Sequence, residues 1–348
     1  MRPSSVSKAL LTCVQANQPV MLHGSPGGGK SQIVKQLAQE LGYDFRDVRL
    51  SQLDPVDLRG VPSVDREAKL TTWNPPDFLP HPGTKGYNEN GILFLDEINS
   101  APQGTAAAAY QLVLDRRLGD YILPPGWRIV AAGNKSTDRA LVNEMSTALK
   151  NRFTHIDFET NLEDWVTWAF ANNIEDTVIG FIRFRPHLLN EFEMRSNSKE
   201  EVDRVRRMKD SKAFGTPRSW EFVSNIMQAK PSRDIEFDLI SGTVGEGNAV
   251  EYMAYMKYYR DLPSLDEILL NPKKAPVPKE QPATMWAVCT GLASRATKDN
   301  FENVMTYTER LPKEYQVLVV KDSIKKDKDI RATRTLARWC NENVNVVL

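Results

Sequence analysis

The chain is predicted to be an α/β domain on a parallel five-stranded sheet, followed by an all-helical half. Three observations predict this. Through residue 159 of the 348, short apolar runs alternate with amphipathic stretches. The runs are almost continuously apolar, as central strands covered on both faces must be. Beyond Phe158 only helical spacing remains.

In chain order, strands are expected at Pro19–His23, Phe45–Leu50, Ile92–Asp96, Arg128–Ala132 and Thr154–Phe158. Lys30–Leu41 reads as a helix with Ile33, Leu37 and Leu41 on one stripe, and Ala106–Leu114 and Ala140–Lys150 as two more. In the second half, helical spacing covers Leu162–Ala171, Thr177–Phe184, Pro217–Ala229, Asp234–Ser241 and Ala249–Tyr259. Arg195–Ser211 mixes both charge signs without an apolar stripe and is expected as an exposed helix or loop. The prolines and lysines of Asn271–Gln281 mark a linker, and a last helical segment runs over Ala283–Val347. The expected division is a nucleotide-binding core at 1–159, a helical lid at 160–262, and a linker with C-terminal helical extension at 263–348.

Composition narrows the function. Lys+Arg and Asp+Glu both number 45, so there is no bulk field for wrapping nucleic acid, although a local basic surface is not excluded. Cys13, Cys289 and Cys340 are scattered, which suits a reducing compartment rather than a disulfide framework. The four histidines are isolated and disfavour structural zinc. No apolar run approaches the ~20 residues of a membrane span. The opening MRPSSVSKALLTC lacks a signal-peptide core, so a cytoplasmic location is expected.

Gly24-Ser25-Pro26-Gly27-Gly28-Gly29-Lys30-Ser31 matches G-x-x-x-x-G-K-[ST] in full, between a strand and an amphipathic helix. Several backbone N–H groups must wrap a phosphate, so glycine is favoured where a side chain would obstruct them. The helix start adds its dipole, Lys30 reaches the outer phosphates, and Ser31 offers a hydroxyl to Mg²⁺. ATP and Mg²⁺ are therefore the expected ligands. Gly91–Glu97 (GILFLDE) is a buried strand that delivers a carboxylate to the C-terminal sheet edge, where ligands sit in open α/β sheets. Asp96 would hold the metal and Glu97 polarise the attacking water. Asn134, after Ala131-Ala132-Gly133, either orients that water or is a turn residue. Arg152 and Arg218 stand at a helix end and a helix start, and a guanidinium on the γ-phosphate contributes roughly 10³–10⁵ in rate.

This order of motifs resembles the AAA+ ATPases, and within them the MoxR family of the helix-2-insert group. GSPGGGKS resembles Walker A, ILFLDE Walker B, AAGN the sensor-1 strand, ALKNRF the arginine-finger segment and GTPRSW the sensor-2 helix. The likeness covers about residues 1–260 and includes two insertions, Asp54–Pro80 and a hairpin within Leu112–Trp127. It implies a P-loop αβα sandwich with a helical lid. It also implies that Asn134 senses the γ-phosphate, that Arg152 acts in trans and that Arg218 acts in cis. The preference for adenine rests on this likeness, because no motif reads a base edge. Members typically form hexameric rings that remodel or activate proteins, many with a von Willebrand factor A domain partner, here necessarily a separate chain.

Arg116 and Arg117, on the second insertion, either face a neighbouring subunit or are solvated. Trp165 and Trp168 read as lid core. Trp73 and Phe78 lie in the first insertion, which is expected to touch the client. The competing reading from another class is a nucleic-acid-directed motor or a restriction-type GTPase, which DNA-stimulated turnover with steep salt dependence would favour. A nucleotide-gated assembly module is disfavoured by the intact Glu97 and both arginines, and a small-molecule kinase by the ordered sensor motifs.

Overall fold

The computed structural model describes residues 1–67, 69–83, 86–134, 145, 147–193, 211–260, 262, 264–278 and 281–343. They form two compact units, Met1–Thr160 and Asn161–Leu348.

The first unit contains α1 (Pro3–Gln15), β1 (Val20–His23), α2 (Lys30–Leu41), β2 (Asp44–Arg49), α3 (Pro55–Arg59), β3 (Val61–Asp65), β4 (Leu70–Asn74), β5 (Gly91–Asp96), α4 (Gln103–Asp115), β6 (Arg117–Leu118), β7 (Tyr121–Ile122), β8 (Trp127–Gly133), α5 (Thr147–Lys150) and β9 (Thr154–Asp157). All five expected strands join one parallel sheet in the order β2-β5-β8-β1-β9. Val20, Leu22, Ile92, Phe94, Val130 and Ala132 pack toward α1 and α2, while Met21, Leu93, Leu95, Ile129 and Ala131 pack toward α4. Both faces are thereby covered, which is why these strands read as unbroken apolar runs. Of the expected helix Ala140–Lys150, only α5 and Met145 lie within the described residues.

The two insertions differ in how they are held. Antiparallel β3 and β4 form a hairpin with Val61 and Val64 each 68 % exposed, Leu70 62 % and Trp73 36 %. Phe78 packs partly against the first-unit core. The second insertion is the short β6–β7 hairpin, tied down by the Tyr121 hydroxyl donating to the Pro80 carbonyl (2.7 Å). Arg116 corrects one expectation. Rather than facing outward, it donates to the carbonyls of Pro124 (2.9 Å) and Trp127 (2.8 Å), while burial and Arg128 lower its pKa. Arg117 is exposed.

The second unit contains α6 (Leu162–Ala171), α7 (Asp176–Phe184), α8 (Pro217–Gln228), α9 (Arg233–Val244), α10 (Glu246–Arg260), α11 (Leu265–Leu270), α12 (Pro282–Arg295), α13 (Phe301–Thr308), α14 (Lys313–Lys326) and α15 (Arg334–Glu342). Most of the stretch Arg195–Ser211 lies outside the described residues. Trp165 is 6 % exposed within the core of this unit and Trp168 packs partly against it. Helix α12 is apolar nearly all round. Ala283, Ala287 and Ala293 join the core of α6–α10, whereas Met285, Val288, Cys289 and Leu292 join that of α11–α15. A helix apolar on all sides must be buried on all sides, so the C-terminal helices are packed onto the preceding ones. The proline-rich stretch is strapped down as well, with Tyr307 donating to Pro276 O (2.9 Å) and Arg310 to Pro272 O (2.6 Å).

A buried charge cluster crosses this unit. Arg183, on α7, meets Asp322, on α14, at 2.6 Å, with side chains 3 % and 1 % exposed. Glu163 and Lys325 complete the cluster at 2.6 Å from each other. Burial alone would raise Glu163, but the Lys325 hydrogen bond and the Arg183 charge outweigh it and hold the carboxyl below its ordinary range.

Candidate functional site

Strand order brings the motifs together. Because β1, β8 and β5 are adjacent and parallel, Gly24, Asn134 and Asp96–Glu97 all emerge at one sheet edge. The Gly24 N–H still donates to Gly133 O across β1 and β8 (3.3 Å). Gly29 takes φ +103° to turn the loop into α2, a region open chiefly to glycine. The N-cap of α2 is Gly29, which has no side chain to offer, and the first-turn N–H groups of such a helix start suit an anion.

Lys30 is 8 % exposed, and its ammonium donates to the carbonyls of Gly24 (2.7 Å) and Ser25 (3.0 Å), bracing the loop from inside. The Ser31 hydroxyl lies 3.2 Å from Asp96 Oδ2, while Asp96 Oδ1 accepts from the Glu97 N–H (2.9 Å). A hydroxyl and a carboxylate this close are hard oxygen donors of the kind Mg²⁺ prefers, so the residues fit the expected metal. Glu97 adopts φ 56°, which takes it out of strand alternation. Its Oε2 accepts from the hydroxyl of Ser51, just past β2.

Three members of this neighbourhood were not read from sequence. Ser51 is the first. Asn99 is the second, donating from Nδ2 to Asn134 O (2.8 Å) and accepting at Oδ1 from Asn134 N–H (3.2 Å). That clamp fixes the backbone of Asn134, whose half-buried amide side chain makes no hydrogen bond among the described residues. It also explains Gly133, where a Cβ would fall on Asn99 Oδ1 and lie 2.7 Å from Met21 Cε. Asp47, on edge strand β2, is the third. Partial burial and then the Asp96 carboxylate raise its pKa, against the pull of Arg49 and Lys35. Only Asn99 had a readable signal, as an amide two residues after the acidic pair.

The two arginines lie in different units. Arg152 is exposed and makes no ion pair or hydrogen bond through its side chain among the described residues. Its backbone is held by its N–H to Leu149 O (2.9 Å) and by burial of Leu149 and Phe153. Arg218, on the first turn of α8, is likewise exposed, with no side-chain ion pair or hydrogen bond among the described residues. That turn is fixed by the Thr216–Ser219 capping box and by buried Glu191, which accepts from Gly215 N–H (2.5 Å) and Asn248 (2.9 Å).

A profile of the AAA domain (dynein-related subfamily) matches residues 19–153. The denitrification regulatory protein NirQ of Stutzerimonas stutzeri is 29% identical over 153 residues, covering 42% of this chain and 53% of NirQ. Protein CbbQ of Hydrogenophilus thermoluteolus is 30% identical over 149 residues, covering 40% and 53%. The chain thus spans about half the length of the curated relatives it matches. The RuvB Holliday junction branch migration motor of Thermotoga maritima aligns over 87% of this chain and 85% of its own, with a TM-score of 0.36 and 16% identity.

Proposed function

Residues 19–153 are an AAA+ ATPase domain of the MoxR-like type, and from that premise we propose that the chain binds ATP with Mg²⁺ and hydrolyses it in a ring of its own copies, remodelling or activating a protein client. The observation that supports the chemistry most directly is the Ser31–Asp96 pair at 3.2 Å, beside the uncapped start of α2 and the Glu97 carboxylate. The metal, when bound, would neutralise charge building on the phosphate oxygens. Lys30 and the loop amides grip the phosphates, Glu97 takes a proton from the attacking water, and Asn134, clamped by Asn99, orients it. Arg152 supplies a guanidinium to the site of a neighbouring copy, and Arg218 acts in cis. An exposed arginine on an anchored backbone, with no ion pair among the described residues, suits this role.

Mixing Glu97→Gln with Arg152→Ala subunits tests the ring. Each is expected to be nearly inactive alone, whereas a mixed ring places an Arg152→Ala pocket against a neighbour with an intact finger, restoring turnover. Continued inactivity despite demonstrated subunit exchange would remove Arg152 from the trans role.

The β3–β4 hairpin is assigned to the client. It exposes Val61 and Leu70 on one face of a two-stranded ribbon and Val64 with Trp73 on the other, and exposed apolar area of this kind supports an interaction surface. Deleting Ser63–Leu70 should leave basal turnover in place while abolishing its stimulation by client. Stimulation that survives the deletion refutes the assignment. A separate von Willebrand factor A domain chain is the partner this reading favours.

A further inference from the structure

His23 and His155 lie on neighbouring strands, β1 and β9, with Met21 opposite His155 and His23 opposite Asp157. Their rings are nearly coplanar, 16° apart, with centroids separated by 5.1 Å. His23 Nε2 is 2.8 Å from His155 Nδ1. Coplanar rings meeting nitrogen to nitrogen are joined by an N–H···N hydrogen bond at their edges. The other nitrogen of His155, Nε2, lies 2.7 Å from the carbonyl of Lys150. A carbonyl only accepts, so Nε2 carries the hydrogen. In a neutral ring Nδ1 then accepts, which makes His23 Nε2 the donor. For a neutral His155, the direction of both bonds follows from that one carbonyl.

The two ends of this chain of bonds are functionally placed. His23 immediately precedes Gly24, the first residue of the phosphate loop. Lys150 is the last residue of α5 and lies two residues before Arg152. We propose that the His23–His155 pair is a positioning device for Arg152, tying the segment that presents the finger to the strand that feeds the phosphate loop. Both histidines are thus positioning residues. Leu149 and Phe153 anchor the segment from below, and His155 fixes it from the side through Lys150 O. The inference rests on the reading that Arg152 serves a neighbouring copy, and it adds that the finger is aligned by its own subunit's loop strand.

The test uses the full chain in rings. His155→Ala is expected to lower kcat by roughly tenfold or more, as displacement of a transition-state group does, with binding of a fluorescent ATP analogue and the melting temperature unchanged. His155→Gln, whose amide can still donate to Lys150 O, should retain most of the turnover. Mixed with Glu97→Gln subunits, His155→Ala should recover activity, because the defect then segregates with the finger and not with the pocket. Unaltered kcat in His155→Ala overturns the proposal. So does a loss that Glu97→Gln subunits fail to restore while they do restore Arg152→Ala, since His155 would then be acting on its own phosphate loop. Failure of the Arg152→Ala control to recover is a separate result that overturns the ring reading and this inference with it. Should His155→Ala not assemble, His23→Leu removes the partner while leaving the bond to Lys150, and the same segregation with Arg152→Ala is expected.

Discussion

Glu97→Gln is expected to bind ATP normally and to lose turnover by roughly 10²–10⁴-fold, the usual worth of a positioned general base. The substitution keeps the shape and the Ser51 contact but removes the basicity. Everything that grips the phosphates remains, including the loop, Lys30 and the Ser31–Asp96 pair. Phosphate release and fluorescent-nucleotide binding, measured on the same sample, separate the two effects. A variant retaining more than a tenth of the turnover would move the base elsewhere, with Asp47 as the next carboxylate in the neighbourhood. Ser51→Ala supplies the contrast. It removes one hydrogen bond to Glu97, and such bonds to charged groups contribute about 1.5–3 kcal/mol at most, roughly 10- to 150-fold, so its effect should not exceed the lower end of that expected for Glu97→Gln.

The largest stability effect is expected from Asp322→Ala. Arg183 would keep its charge in a site where its side chain is 3 % exposed, and stranding one partner of a buried pair costs about 3–5 kcal/mol. Arg183 keeps its 3.3 Å contact to Glu163, which is 58 % exposed, so the loss should fall toward the lower end of that range. Urea titration followed by tryptophan fluorescence measures the loss. The double variant Arg183→Met with Asp322→Leu should recover much of it, because replacing both charges by apolar groups removes the need to pair them. A single-variant loss below about 1 kcal/mol would show that water reaches Arg183.

The sheet was legible because its strands are buried on both faces, so their identity is written locally in apolar runs such as VMLH and ILFLD. The phosphate loop was legible for a related reason, since its chemistry restricts residue type at consecutive positions. Ser51 was not, because it acquires its role only when the fold sets it against a residue 46 positions away; Asn99 stood just past the acidic pair, but its partner, 35 positions on, emerges only in the fold. Arg116 shows the opposite failure. Its charge suggested an outward role, yet three-dimensional closure of the β6–β7 hairpin surrounded it with carbonyls. The first helix, α1, was within reach of ordinary periodicity. Val6, Leu10 and Val14 recur every fourth residue and are all buried.

Helix α12 has a mechanical consequence. Because it contributes to two cores at once, force applied anywhere among α13–α15 is carried through close-packed side chains to α7 and α10. The C-terminal helices therefore add inertia and stiffness to whatever movement the preceding helices make. Severing the chain before Pro282 would not release an appendage: it would take the wall out of the remaining core.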